Sequence, residues 1–163
     1  MKLDVSLPHL DQAEGYQKYS DIENYPWKIE TNSVDELISV YAIQRVKDIL
    51  RYYQEVHRVC KPGAIVRFIA PYFTHERACC DPNHIRYIGE MSFHYLTPDF
   101  RKLNKVNTGG WETVNFQLRG INFTWETQPY NQWDNKSDEA KLYAKMHYWN
   151  VITDILAEFE VVK

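Results

Sequence analysis

Between Val34 and Pro71 the apolar residues change their spacing twice. In VDELISVYAI, residues Leu37, Ile38, Val40, Tyr41 and Ile43 crowd into a short run that predicts a strand. From Val46 onward they recur at Ile49, Leu50, Tyr53, Val56 and Val59, the period of a helix that lays one face on a core. Pro62 cannot continue a helix and Gly63 permits a positive φ, so a sharp stop is expected there. AIVRFIA then reads as a strand covered on both faces. Strand, helix and strand in about 38 residues predict a right-handed βαβ crossover with a parallel pair.

On either side the pattern is weaker. KLDVS predicts a short buried strand, LPHLDQAEG a loop, and YQKYSDI a second short strand ending near Asp21. NYPWKIETNS is a turn-rich connector that Pro26 and Trp27 pin to the core edge. Residues 71–93 show no clear period and predict a long loop or broken helix, and loops of that length are often functional. Thr97-Pro98-Asp99 starts a helix over PDFRKLNKV, ended by the TGG at 108–110. ETVNFQLRGINFTWETQ alternates in two phases that switch at Arg119-Gly120, which predicts a bulge. After the polar turn PYNQWDNKSD, Ser137 caps a helix whose second half reads equally as a connector and a strand; FEVVK resembles an edge strand. There is no internal repeat, low-complexity tract or domain boundary, so residues 1–163 are read as one domain.

Composition narrows the function classes. Hydrophobic residues make up 44% and charged residues 25%, which excludes wholesale disorder. A net charge of −3 with no basic run argues against a dedicated nucleic-acid binder. No apolar stretch approaches a membrane span, and the first ten residues, which include Lys2, Asp4, Pro8 and His9, show no signal peptide. Three cysteines, two of them adjacent, form no secreted disulfide framework, so a reducing cytoplasm is expected.

Open α/β sheets bind ligands beyond the carboxyl ends of their strands, where the strand order reverses. That rule nominates the loop 6–12, the vicinity of Asp21, the strand end Tyr41–Arg45 and the loop 71–84. His75, Cys79, Cys80, Asp81 and His84 crowd into ten residues. Adjacent cysteines seldom point at one ion, so no metal is assigned. His84 reads as a general base or hydrogen-bond donor, or as a histidine that ties the loop to Asp81 or a carbonyl. Tyr41, Tyr72, Phe73 and Tyr95 read as pocket lining or as packing, and Arg45 as facing an anionic ligand or as a solvated helix-start charge.

Several phrases occur here in an order that resembles the class I S-adenosylmethionine-dependent methyltransferases, in their small Rossmann-like branch. They are SDIENYPWKIETNSVDELISVYAIQRV, then Arg58-Val59-Cys60-Lys61-Pro62-Gly63-Ala64, then Asp81-Pro82-Asn83-His84-Ile85-Arg86. The resemblance implies an α/β fold with a mostly parallel sheet and antiparallel carboxy-terminal strands, and S-adenosylmethionine as cofactor. It also implies that Asp4, Ser6, Asp21, Ile22 and Tyr41 lie on the cofactor side. Arg45, Tyr72, His75 and Asp81 would lie on the substrate side, with His84 as catalytic base. Asp21-Ile22 stands where the family has a pair beside the adenine, although Asp21 reads equally as a turn acid.

This chain also departs from the family. Ser6 and Pro8 stand where the family's turn has glycines that admit the cofactor. Gln44-Arg45 replaces a Glu-His pair, no ribose-binding acid is evident, and the amino-terminal half is short. Two further readings therefore stand beside an active methyltransferase. One is a non-catalytic binding or scaffolding relative; the other is a domain that binds another nucleotide or small metabolite. The acceptor is unassigned. A carboxy-terminal edge strand would favour a homodimer.

Overall fold

The computed structural model describes residues 1–106, 109–127, 132–133 and 135–163. Six strands form one sheet: β1 (Lys2–Asp4), β2 (Gln17–Lys18), β3 (Val34–Val40), β4 (Cys60–Pro71), β5 (Phe116–Trp125) and β6 (Ile152–Val161). Their order across the sheet is β2-β1-β3-β4-β6-β5. The pairs β1–β2, β1–β3 and β3–β4 are parallel, whereas β6 is antiparallel to both β4 and β5. This is the expected Rossmann-like sheet, parallel in its first half with antiparallel carboxy-terminal strands.

Helix α1 (Ile49–Val59) joins β3 to β4. It starts three residues later than the apolar spacing alone predicts, because the Asp48 carboxylate accepts from the Arg51 N–H and caps it there. Cys60 ends α1 and β4 begins at once, so the Lys61-Pro62-Gly63 stop lies inside the strand span. The sheet absorbs it as an irregularity: Val34 faces Cys60, but two residues on Glu36 faces Ile65. Gly63 takes a φ of 77° there.

The amino-terminal half is short because β1 runs to β2 through a loop, with no helix between them. The stretch 71–93 resolves into α2 (Glu76–Cys79) and α3 (Glu90–His94), drawn together by a parallel bridge between Tyr72 and Ile88. Helix α4 (Pro98–Leu103) ends before Asn104, shorter than the expected PDFRKLNKV. Of its expected stop, Thr108 lies outside the described residues, as do 129–131 and 134 of the polar turn. The Arg119-Gly120 phase change is a register shift in β5. Helix α5 (Asp138–His147) is capped by the Ser137 hydroxyl. It ends at His147, and the chain continues as connector and strand.

One expectation is overturned. FEVVK is not an edge strand: β6 lies between β4 and β5, and β5 is the edge. Backbone pairing of the carboxy-terminal strand with a second copy is therefore closed off, since both its sides are already bonded.

The core lies against the centre of the sheet. Phe68 on β4 has no exposed surface and touches three rings, with centroids 5.2 Å (Tyr53), 6.0 Å (Phe159) and 6.3 Å (Phe93) away. Trp27 is 2% exposed, as expected of the connector pin. Its backbone N–H donates to Glu55 and its indole N–H to the Ile22 carbonyl. Among the described residues no helix is long and apolar enough to cross a membrane.

Candidate functional site

From β1 the chain goes outward to β2, then returns to β3 on the other side of β1. The strand order therefore reverses at β1, and a crevice opens beyond the carboxyl ends of β1 and β3. The backbone bonds Val5 N–H to Ile38 and Leu7 N–H to Val40 continue the ladder past β1 and hold Leu7 at the crevice.

Asp4 and Ser6 build this turn from the inside. Each is 1% exposed. The Asp4 carboxylate accepts from the Ser6 N–H at 2.8 Å and the Ala13 N–H at 2.9 Å, with the Lys18 ammonium 3.5 Å away. The Ser6 hydroxyl accepts from the Val40 N–H at 2.8 Å, tying the turn to β3. Neither side chain lines the crevice.

Burial alone would raise the Asp4 pKa, but the hydrogen bonds from Ser6 and Ala13 and the charge of Lys18 outweigh it and hold it below the ordinary value. A lowered folded-state pKa contributes stability above the unfolded value and loses it as pH falls through the folded one. Asp4→Asn is therefore expected to destabilise the fold by about 2 kcal/mol at neutral pH, because an amide cannot accept from both N–H groups. Urea denaturation at neutral and acidic pH checks this. The gap from the wild type must narrow below a pH of about 4.

The crevice has two arms that share Leu7 and Arg45. The first, a cavity of about 320 Å³, has apolar walls of Leu7, Pro8, Ile22 and Val46 and the carboxylates of Asp21 and Glu23. Glu23 is engaged by the Lys47 N–H, and Asp21 is exposed, with one oxygen accepting from Asn24 at 2.5 Å. The second, of about 380 Å³, is faced by His9, Tyr41, Arg77, Cys80, Asp81 and His84.

Charge pairs organise the second arm. Arg45 pairs with Asp81, whose other oxygen accepts from the Asn83 N–H at 2.9 Å. That bond and the Arg45 cation hold the Asp81 carboxyl below its usual range. Arg77 donates to the Tyr41 hydroxyl at 3.0 Å and to Asp154 at 3.2 Å, and lies over the Tyr41 ring. Tyr41 has a φ of 56°, a left-handed conformation that a bulky residue adopts only under constraint, directly after β3. The side chain of His84 is 7% exposed. Its Nδ1 is 3.1 Å from the Ala78 carbonyl and so carries the proton. Its Nε2 faces the Gln44 amide at 3.5 Å and Asp81 at 3.6 Å.

All four nominated segments meet around this crevice, with Asp21, Ile22, Tyr41, Arg45, Asp81 and His84 on its walls. Tyr72 and His75 lie elsewhere. Tyr72 donates to Glu90, and His75 caps α2 and bonds to Glu126 at 3.2 Å. The sequence pattern did not single out Arg77 or Cys80 as lining; Arg77 faces Tyr41 from 36 positions away, and no local signal marks such a pair. Among the described residues no group of three or more His, Cys, Asp or Glu side chains could hold a metal ion. The buried Cys60 thiol is pushed up to about 12 by desolvation, whereas Cys79 and Cys80 are exposed and free.

Residues 2–68 match the family model described as a methyltransferase domain. No curated protein matches the chain. Among solved structures, an S-adenosylmethionine-dependent methyltransferase from Archaeoglobus fulgidus is 10% identical with a TM-score of 0.60, over 90% of this chain and 68% of that one. A putative methyltransferase from Bacillus halodurans is 12% identical with a TM-score of 0.58, over 99% of this chain and 92% of that one. One from Mesorhizobium loti is 14% identical with a TM-score of 0.51, over 89% and 68% respectively. At such identities the likeness is one of fold.

Proposed function

We propose that this chain, which belongs to the class I S-adenosylmethionine-dependent methyltransferase-like family, binds S-adenosylmethionine across the two arms of its crevice and passes the methyl group to an acceptor. The observation that carries this reading is the crevice itself. Four segments distant in sequence leave a two-armed cavity at the switch point, although Ser6 and Pro8 replace glycines in the turn after β1.

The donor set fits such a ligand. Leu7, Pro8, Ile22 and Val46 offer apolar walls to a flat base, and Asp21 offers a carboxylate oxygen to its exocyclic amine. Arg45 and Arg77 line the second arm already paired with Asp81 and Asp154, and the Arg45 Nε, which has no hydrogen-bond partner among the described residues, is the donor left for a ligand carboxylate. When bound, S-adenosylmethionine supplies a methyl group on a sulfonium, open to in-line displacement. The protein's own part is positioning and proton transfer. With its Nδ1 proton committed to Ala78, His84 would take a proton from the acceptor at Nε2, in place of the long 3.5 Å contact from the Gln44 amide.

A second reading, a non-catalytic relative, rests on the turn after β1. Asp4 and Ser6 are turned inward there, and Pro8 has no N–H to give a ligand. Isothermal titration with S-adenosylmethionine and S-adenosylhomocysteine separates the two. Binding is expected to be saturable and about tenfold weaker in Asp21→Ala, the worth of one charge-assisted hydrogen bond. Absence of heat at millimolar ligand would leave the non-catalytic reading standing.

A further inference from the structure

We infer that a second cleft, on the far side of the loop after β4, binds an uncharged planar aromatic molecule. The cleft measures about 770 Å³ and shares no lining residue with either arm of the crevice. Its volume lies within the range of small-molecule sites. The inference is therefore independent of the methyltransferase reading.

Two groups of apolar side chains line it. Phe73 and Tyr87 come from the excursion between β4 and α3 and Met91 from α3 itself, and they are 43%, 63% and 57% exposed. Leu142 and Met146 on α5 and Trp149 beyond it are 55%, 69% and 69% exposed. Helix α5 buries only Ala144, so its apolar residues are not spent on the core of the sheet. Exposing methionine and aromatic side chains together around one hollow is unfavourable unless something covers them.

The polar base of the cleft selects the ligand class. Glu90 accepts from the Tyr72 hydroxyl at 2.8 Å and from the Lys145 ammonium at 2.6 Å. Burial would raise the Glu90 pKa, but Lys145 and these hydrogen bonds hold it below the ordinary value, so the base is an ion pair of zero net charge. A charged ligand would give up hydration without finding a free counter-charge, since Glu90 and Lys145 already pair, and an anion would also meet the negative faces of the rings. An uncharged ring meets Phe73, Tyr87 and Trp149 without that cost, and methionine sulfur favours such contacts. Thr74 lines the same cleft, and its hydroxyl has no hydrogen-bond partner among the described residues.

The test uses a matched pair of fluorescent probes on the whole chain. N-phenyl-1-naphthylamine is uncharged, and 8-anilino-1-naphthalenesulfonate carries a sulfonate on the same ring system. A saturable fluorescence rise with the neutral probe is expected, with affinity about tenfold above that of the sulfonate. Met146→Glu and Tyr87→Glu, on the two facing groups, should each weaken the neutral probe about tenfold, because each brings a carboxylate against the ring. Both positions are exposed, and an unchanged thermal midpoint confirms the fold in each variant. Leu103→Glu, outside the cleft, should leave binding unaltered. The inference is overturned by an absence of saturable binding, by equal affinity in the variants, or by a sulfonate that binds as tightly. It is overturned too if light scattering shows a dimer that excludes the probe, since the occupant would then be a second copy.

Discussion

Phe68→Ala is expected to destabilise the protein by about 4 kcal/mol, the cost of truncating a fully buried aromatic side chain and leaving a cavity. The position cannot relax cheaply. Phe68 sits on β4, bonded on one side to β3 and on the other to β6, so the backbone cannot move in to fill the void. Its ring is edge-on to Tyr53 and Phe159 and stacked with Phe93, so one truncation removes three aromatic contacts. Thermal unfolding should show the midpoint lowered by about 12 °C for a chain of this size. A fall of only a few degrees would mean that α1 and α3 close over the gap.

Glu55→Ala is expected to cost about 3 kcal/mol, less than a fully buried ion pair because its partner Arg58 is 29% exposed. The Glu55 carboxylate accepts from the Trp27 N–H at 2.7 Å and from both Nε and a terminal nitrogen of Arg58, at 2.9 Å and 2.7 Å. Burial acts to raise its pKa, but the Arg58 and Trp27 hydrogen bonds prevail and lower it. Removing it orphans a buried N–H and one face of a guanidinium. Glu55→Gln should cost clearly less, since an amide still accepts one of these bonds. Denaturant unfolding of the three proteins side by side decides the matter; equal losses in Ala and Gln would show that charge, not hydrogen bonding, dominates.

This second substitution also reaches the crevice. Trp27, held by Glu55, donates its indole N–H to the Ile22 carbonyl at 3.0 Å, and Ile22 stands between Asp21 and Glu23 on the wall of the first arm. Glu55 thus acts on Asp21 through Trp27, as a positioning residue. A weakened ligand affinity in Glu55→Ala that Glu55→Gln restores would separate this role from a loss of fold.

How far the site could be read from the sequence depends on the residue. Tyr41 stands at the end of a strand whose spacing is visible, Asp21 and Asp81 stand in the loops that follow strands, and a rule about open sheets is enough to place them together. Asp4 and Ser6 illustrate the opposite case. Their positions at a strand end suggest contact with a ligand, but Ser6 meets the N–H of Val40, 34 residues away, and that partner decides which way it turns. Tyr72 and His75 come immediately after β4, yet they face Glu90 and Glu126, contributed by segments with no recognisable relation to them in sequence.

Local chemistry in this chain was enough to determine the βαβ unit, the helix stop before Pro62, the bulge at Arg119-Gly120 and the four segments around the crevice. Each depends on residue spacing or on a single backbone preference, which neighbours in the chain express by themselves. Only the tertiary structure decided that β6 lies inside the sheet, because strand order is set by which apolar faces find each other. Contacts across the sheet likewise decided that Asp4 and Ser6 build the turn instead of lining the crevice. The packing of α5 against the excursion after β4 made the aromatic cleft, since neither segment forms a hollow without the other.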